Sequence, residues 1–374
     1  MGTKKVGVLT FHVAHNYGAM LQAYALPTAL RKMGYDAEVV DYRFPYIYEW
    51  GRSIDFKELL ETKGLVKAVY RYTMNLLKGA YDPSNAYNKF NYFREHVMPC
   101  SNKIYRTIDE IDNMDYDALL FGSDQIWNEN LTNGVSKEYF GQFECLDKTK
   151  RIAYAASTGS SDFYEKAKEL SKSYLSKFDA IGTRELGLTN TLKERGFDAV
   201  HVLDPSLLLN KEDWMEMVNV TPNKLAVPDK YLLIYAFDED ERLYEVARQV
   251  AAEKNLKIVV IAYQKKACME GMEVYTNCGP ADFVNLIANA EFTITTSFHG
   301  TAFSILLHKD FRCVPHPKYR ERTDSVLEMV GLERVNVANL DELLEPIEID
   351  WEDVELSLNK EREKSLNFLK KALE

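Results

Sequence analysis

The sequence predicts an α/β protein of two Rossmann-like domains, each a doubly wound parallel sheet, facing one another across a cleft. Three observations predict it. Short β-branched runs alternate with segments of helical period along most of the chain, the signature of parallel sheets covered by helices. The alternation occurs twice, on either side of a polar, proline-bearing stretch at 210–229. The length of 374 residues exceeds one ordinary domain and suits two of roughly 150 to 200.

The first domain, 1–209, opens with KVGVLTFH, an apolar run broken at His12 and therefore a strand, not a secretory leader. Further strands follow in DAEVVDY, DALLFGS, RIAYAAS, DAIGTRE and AVHVLD, separated by amphipathic stretches such as EKAKELSKSYLSKF and TNTLKERGF. An insertion of helices and loops at about 42–99 is rich in Tyr and Phe and carries Pro45 and Pro83. After the linker at 210–229, the domain 230–350 repeats the grammar with YLLIYAF, KIVVIAY, FTITTS and FRCVP, spaced by ERLYEVARQVAAEKN, ADFVNLIANA and TAFSILLHK. The charged tail, 351–374, reads as a helix that packs back on the first domain.

Composition narrows the function. A net charge of −11 and a pI near 5.3 oppose nucleic-acid binding, which needs a basic face. A small anion needs only a local basic pocket. Cys100, Cys145, Cys268, Cys278 and Cys313 are odd in number and hold no CxxC pair, so they read as reduced thiols of a cytoplasmic protein, without a disulfide frame or metal site. No 18-residue apolar run spans a membrane.

In facing doubly wound sheets, chemistry belongs at the C-terminal strand tips. Five motifs lie there. In HVAHNYGAMLQAYAL, Asn16 and Gly18 turn a strand into a helix whose free N–H groups suit an anion or polar ligand; a plain strand-to-helix turn explains the same residues, and His12 and His15 read as structural. In LLFGSDQIWNEN, Ser123, Asp124, Gln125, Trp127 and Asn128 gather hydrogen-bonding groups beside an aromatic plane, as at a sugar site; a capped helix start is the plainer account. In DAIGTRELG, Arg184 stands where a core rejects charge, ready for a phosphate or carboxylate, or for an ion pair with Glu185. In HVLDPSLLL, Asp204 before Pro205 reads as a turn starter. In ITTSFHGTAF, Ser297 and Gly300 flank His299, with the glycine leaving the imidazole open to the cleft.

Taken in register, NYGAMLQAYAL, GSDQIWN, IGTRE, VLDPSLLL and FVNLIANAEFTITTSFHGTAFSILLHKDF, with an Arg-bearing segment before VLEMVGLERV, resemble the polysaccharide pyruvyl transferase family over most of the chain. The resemblance implies a GT-B-like fold. The implied reaction moves pyruvate from phosphoenolpyruvate, a donor substrate with no cofactor or metal, to a glycan or lipid-linked saccharide, usually as a cyclic ketal with release of phosphate. A membrane-bound acceptor implies peripheral contact with the bilayer. Arg184 matches the family's arginine and His299 its active-site histidine, as general base or acid. Arg322, with Lys318 and Arg320 behind it, supplies further donor contacts. Ser297, Gly300, Asn16 and Gly18 join the donor side, while Ser123 to Asn128 serve the acceptor. One departure stands out: many members read Arg-Leu-His where this chain has Ser297, Phe298 and His299. Two rival readings share the scaffold, a GT-B glycosyltransferase using a nucleotide sugar and a glycan-binding relative without catalysis.

Overall fold

A computed structural model describes residues 3–43, 65, 69, 83–111, 115–142, 149–159, 168–236, 240–314, 320–337 and 339–374. Strands β1 (Lys5–Leu9), β2 (Asp36–Tyr42), β3 (Cys100–Tyr105), β4 (Ala118–Phe121), β5 (Lys150–Ala156), β6 (Ala180–Thr183) and β7 (Ala199–His201) form a seven-stranded sheet ordered β3-β2-β1-β4-β5-β6-β7. Strands β8 (Tyr231–Tyr235), β9 (Lys257–Ile261), β10 (Glu273–Tyr275), β11 (Phe292–Thr295) and β12 (Phe311–Cys313) form a second sheet ordered β10-β9-β8-β11-β12. Every pairing is parallel. All ten strands read from the sequence are present. The two that were not, β3 and β10, are edge strands.

Both sheets wind alike. From β1 the chain moves outward through β2 to β3, then returns to β4 on the other side of β1; from β8 it does the same and returns to β11. Each sheet therefore has a switch point at its middle, where helices leave to opposite faces and a crevice opens at the strand tips. Helix α1 (Tyr17–Lys32) leaves β1; helices α2 (Pro83–Tyr92), α3 (Lys168–Leu175) and α4 (Leu186–Glu194) follow in the first half. Asn210 then caps α5 (Lys211–Val220), with Asp213 returning the bond in a capping box. The stretch 210–229 thus crosses between the sheets as a capped helix and an irregular run. Helices α6 (Glu241–Glu253), α7 (Pro280–Asn289), α8 (Phe298–Leu306) and α9 (Arg320–Met329) belong to the second half.

The halves share an apolar layer. Trp214 of α5 packs edge-on to Phe303 of α8 at 4.8 Å and against Tyr24 of α1 at 5.7 Å. One buried cluster runs from Val6 and Leu30 through Trp214 to Leu233 and Phe283. Helix α10 (Trp351–Leu373) returns to the first sheet: Phe368 packs on Tyr154 of β5, the Ser365 hydroxyl accepts the Leu203 N–H at 3.0 Å, and Arg362 donates to the Leu207 carbonyl at 2.9 Å. Most of the insertion at about 42–99 lies outside the described residues. Its described end, α2, reaches the second half through a Lys89 to Asp282 ion pair of 2.7 Å. Cys100, Cys268, Cys278 and Cys313 are free thiols, and Cys145 lies outside the described residues. Among the described residues no helix is long and apolar enough to cross a membrane.

Candidate active site

The strand tips of the two sheets meet around one buried carboxylate, Asp204, which is 2% exposed. It follows β7 and caps the turn Pro205–Leu207, as an Asp-Pro turn starter should. Its duties go further. Oδ1 accepts the Ser206 N–H at 3.0 Å and the Ser206 hydroxyl at 2.7 Å; Oδ2 accepts Arg184 Nη1 at 2.9 Å and the Ser123 hydroxyl at 3.2 Å. From the second sheet, His299 Nε2 stands 3.9 Å from Oδ1. Burial alone would raise the Asp204 pKa, but His299, Arg184 and the Ser206 N–H together hold it below the usual carboxylate range. The sequence reading missed this centre because one local role sufficed to explain the residue.

Arg184 lies at the tip of β6. Besides Asp204 it reaches Glu185 Oε1 at 3.4 Å and stands 3.9 Å from Asp124 Oδ1, with the Phe298 ring 5.3 Å from its guanidinium carbon. The ion-pair reading of Arg184 holds, and Nη2 is buried with no hydrogen-bond partner. Burial opposes its charge, but Glu185, Asp204 and Asp124 more than restore it, so it stays a guanidinium. Glu185 accepts the Ser157 hydroxyl at 2.7 Å. Arg322 of α9 is close enough for Arg184 to reinforce the burial that lowers its pKa. Arg320 instead pairs outward with Asp324 at 2.8 Å, and Lys318 lies outside the described residues.

His299 sits in the first turn of α8 and is 8% exposed, more enclosed than an imidazole open to the cleft. The glycine that gives it room is not Gly300. A Cβ on Gly300 would meet the Thr295 side chain at 2.1 Å, so Gly300 lets α8 pack against β11. A Cβ on Gly18 would meet His299 Nδ1 at 2.0 Å, so Gly18, in the first turn of α1 on the opposite half, is where the imidazole docks. Burial drives the His299 pKa down to about 4, with Asp204 resisting and Arg184 assisting. The ring is neutral at pH 7, and Nε2 is buried without a hydrogen-bond partner. Two helix N-termini meet here, α1 capped by Asn16 and α8 capped by Ser297, neither with an acidic residue in its first turn. Their partial positive ends converge on one point.

The proposed acceptor group divides. Ser123 and Asp124 belong to the charged centre. Gln125 accepts the Asn128 side-chain amide at 2.6 Å, and Asn128 caps a one-turn helix, Glu129–Thr132. Trp127 corrects the reading of an open aromatic plane: it is 2% exposed, stacks on Phe140 at 5.2 Å and donates Nε1–H to the Tyr139 carbonyl at 3.1 Å. Its indole belongs to a buried cluster with Phe121, Tyr139 and Phe140. His12 is likewise structural, bonded to Asp41 at 3.0 Å, and His15 stacks on Phe90. Among the described residues no group of three His, Cys, Asp or Glu side chains is placed to hold a metal ion.

A family model described as polysaccharide pyruvyl transferase matches residues 16–318. No curated protein matches the chain. Among solved structures, the UDP-GlcNAc 2-epimerase from Neisseria meningitidis bound to UDP-GlcNAc aligns with a TM-score of 0.53 at 10% identity, over 99% of this chain and 94% of that one. The UDP-GlcNAc 2-epimerase from Methanocaldococcus jannaschii aligns with a TM-score of 0.51 at 13% identity, over 96% and 94%. Identities that low establish the fold alone, two facing parallel sheets of GT-B-like architecture.

Proposed function

Given that the chain belongs to the polysaccharide pyruvyl transferase family, we propose that it transfers pyruvate from phosphoenolpyruvate to two hydroxyls of one sugar in a cell-surface polysaccharide or its precursor, forming a cyclic ketal and inorganic phosphate. The observation that carries this reading is the junction of a neutral His299 with Arg184 at two converging helix N-termini. A donor with a phosphate and a carboxylate needs cationic and N–H partners in an acidic protein. Arg184 offers Nη2, Arg322 lies beside it, and the helix starts at Tyr17 and Phe298 add N–H groups that no helix interior uses. Asp204 and Glu185 neutralise much of Arg184, so the site favours an anion by directed donors more than by net charge.

The proton inventory suits this arrangement. Two hydroxyl protons leave the acceptor; one ends on C3 of the donor, turning its methylene into a methyl, and the other leaves with phosphate. A neutral imidazole takes the first proton from the attacking hydroxyl as a general base. Asp204, 3.9 Å from Nε2, then stabilises the imidazolium, which can give that proton up again. The attacking oxygen bonds to C2, the C2–O bond to phosphate breaks, and the second hydroxyl closes on the same carbon.

A phosphate-release assay tests the reading with phosphoenolpyruvate and a panel of lipid-linked and nucleotide-linked glycans, beside parallel reactions with UDP-, GDP- and CMP-sugars. The expected result is phosphate release that requires both phosphoenolpyruvate and a glycan, with a ketal in the product by mass spectrometry. Consumption of a nucleotide sugar with phosphoenolpyruvate untouched overturns it.

A further inference from the structure

Beside the His299 centre, at the tips of β8 and β9, lies a solvent-open cavity of about 180 Å³. Its lining is mostly aromatic and apolar, with Tyr17, Tyr235, Tyr263 and Met269 among it, and Gln264 and Lys266 are its polar members. Tyr17 comes from the first half, so both halves build it. The rings of Tyr17 and Tyr263 run nearly parallel, 15° apart with centroids 6.5 Å from each other, and Tyr263 is 44% exposed. Two walls are shared with the reaction centre. Tyr17 directly precedes Gly18, against which the imidazole docks, and the Tyr235 hydroxyl is hydrogen-bonded to Ser297, two residues before His299.

We infer that this cavity is the seat of the acceptor sugar, a pyranose resting its apolar C–H face on tyrosine and meeting Gln264 through its hydroxyls. A pyranose has one apolar face and a hydroxylated edge, and the cavity offers flat aromatic surface beside an amide that both donates and accepts. The inference rests on the proposed reaction for the word acceptor; the sugar site itself does not.

Saturation-transfer NMR tests it on the full chain, with a panel of methyl pyranosides of gluco, galacto and manno configuration and their N-acetyl forms, and with uridine and adenosine as planar controls. At least one pyranoside is expected to bind, with affinity lowered tenfold or more by Tyr263→Ala and by Gln264→Ala. Phosphoenolpyruvate binding, measured by phosphorus NMR, is expected to be unchanged by Tyr263→Ala, and melting curves confirm that each variant is folded. Failure of every pyranoside to bind, binding indifferent to both substitutions, or nucleosides binding in their place overturns the inference. Pyranoside binding without phosphoenolpyruvate binding leaves the sugar site standing and removes the pyruvyl reaction, so the two readings fail separately.

Discussion

The two sheets wind in the same order, yet their tips carry opposite chemistry. The seven-stranded sheet delivers charge: Arg184, Glu185, Asp204 and Asp124 crowd together with Ser123 and Ser157 as hydroxyl donors. The five-stranded sheet delivers neutral rings: His299, with its proton affinity suppressed by burial, and Tyr235 and Tyr263 beside the adjacent cavity. Shared topology fixes where a crevice forms, while the residues at the tips decide what each wall contributes. One wall gathers paired charges, and the other presents an imidazole that burial keeps neutral.

Asp204→Asn strikes the charged wall hardest. It leaves Arg184 buried with a weaker set of partners, so it should cost about 3 to 5 kcal/mol of unfolding free energy and abolish turnover. Denaturant melts measure the first effect; a variant as stable as the parent would show that charge pairing does not hold that wall.

His299→Asn strikes the neutral wall. The expected result is a fall in kcat of roughly 10²-fold to 10⁴-fold with little loss of stability, since Nε2 has no hydrogen bond to lose. A pH series sharpens the contrast. The folded pKa near 4 lies below the unfolded value, so between the two the unfolded chain binds the extra proton. The contribution is whole above about pH 6.5 and is lost as pH falls toward 4. Thermal melts of the parent from pH 7 to 4 should show that loss, and those of His299→Asn a shallower one. Equal slopes would mean that the imidazole is not buried neutral.

Gly18→Ala tests where the walls touch. Its Cβ would fall 2.0 Å from Nδ1 of His299, so the ring must shift, at about 1 to 3 kcal/mol and with kcat lowered more than the KM for phosphoenolpyruvate is raised. Steady-state kinetics beside a melting curve read both. Trp127→Phe should do least: it loses the bond to Tyr139, worth about 1 kcal/mol, and leaves the acceptor KM unchanged. A raised KM in that variant would return Trp127 to the sugar site.

Most of the architecture was legible in the sequence because buried parallel strands are continuous apolar runs, as in ALLF and YLLIY. The strands that escaped, CSNKIY and EVY, lie at sheet edges, where half the positions face solvent and the pattern fades. Arg184 and His299 could be picked out because each stands at a strand tip within a motif that resembles the family's, although an ion pair or a core histidine would explain either alone. Asp204 could not, since capping the Pro205 turn already accounted for it. Trp127 misled for the complementary reason: a short polar run does not reveal which way one large ring points. The glycine beside His299 in sequence was credited with space that Gly18, from the opposite half, supplies.

Helix α10 has a consequence for the order of assembly. Its Ser365 and Arg362 grip the backbone at Leu203 and Leu207, on either side of Asp204, at sequence separations of 162 and 155. A chain emerging from the ribosome can complete the first sheet long before that helix exists. The carboxylate on which Arg184 and His299 converge then waits, without its backbone clamp, until the second sheet has been made. A chain interrupted before residue 362 therefore lacks both bonds beside Asp204 even when every strand is in place.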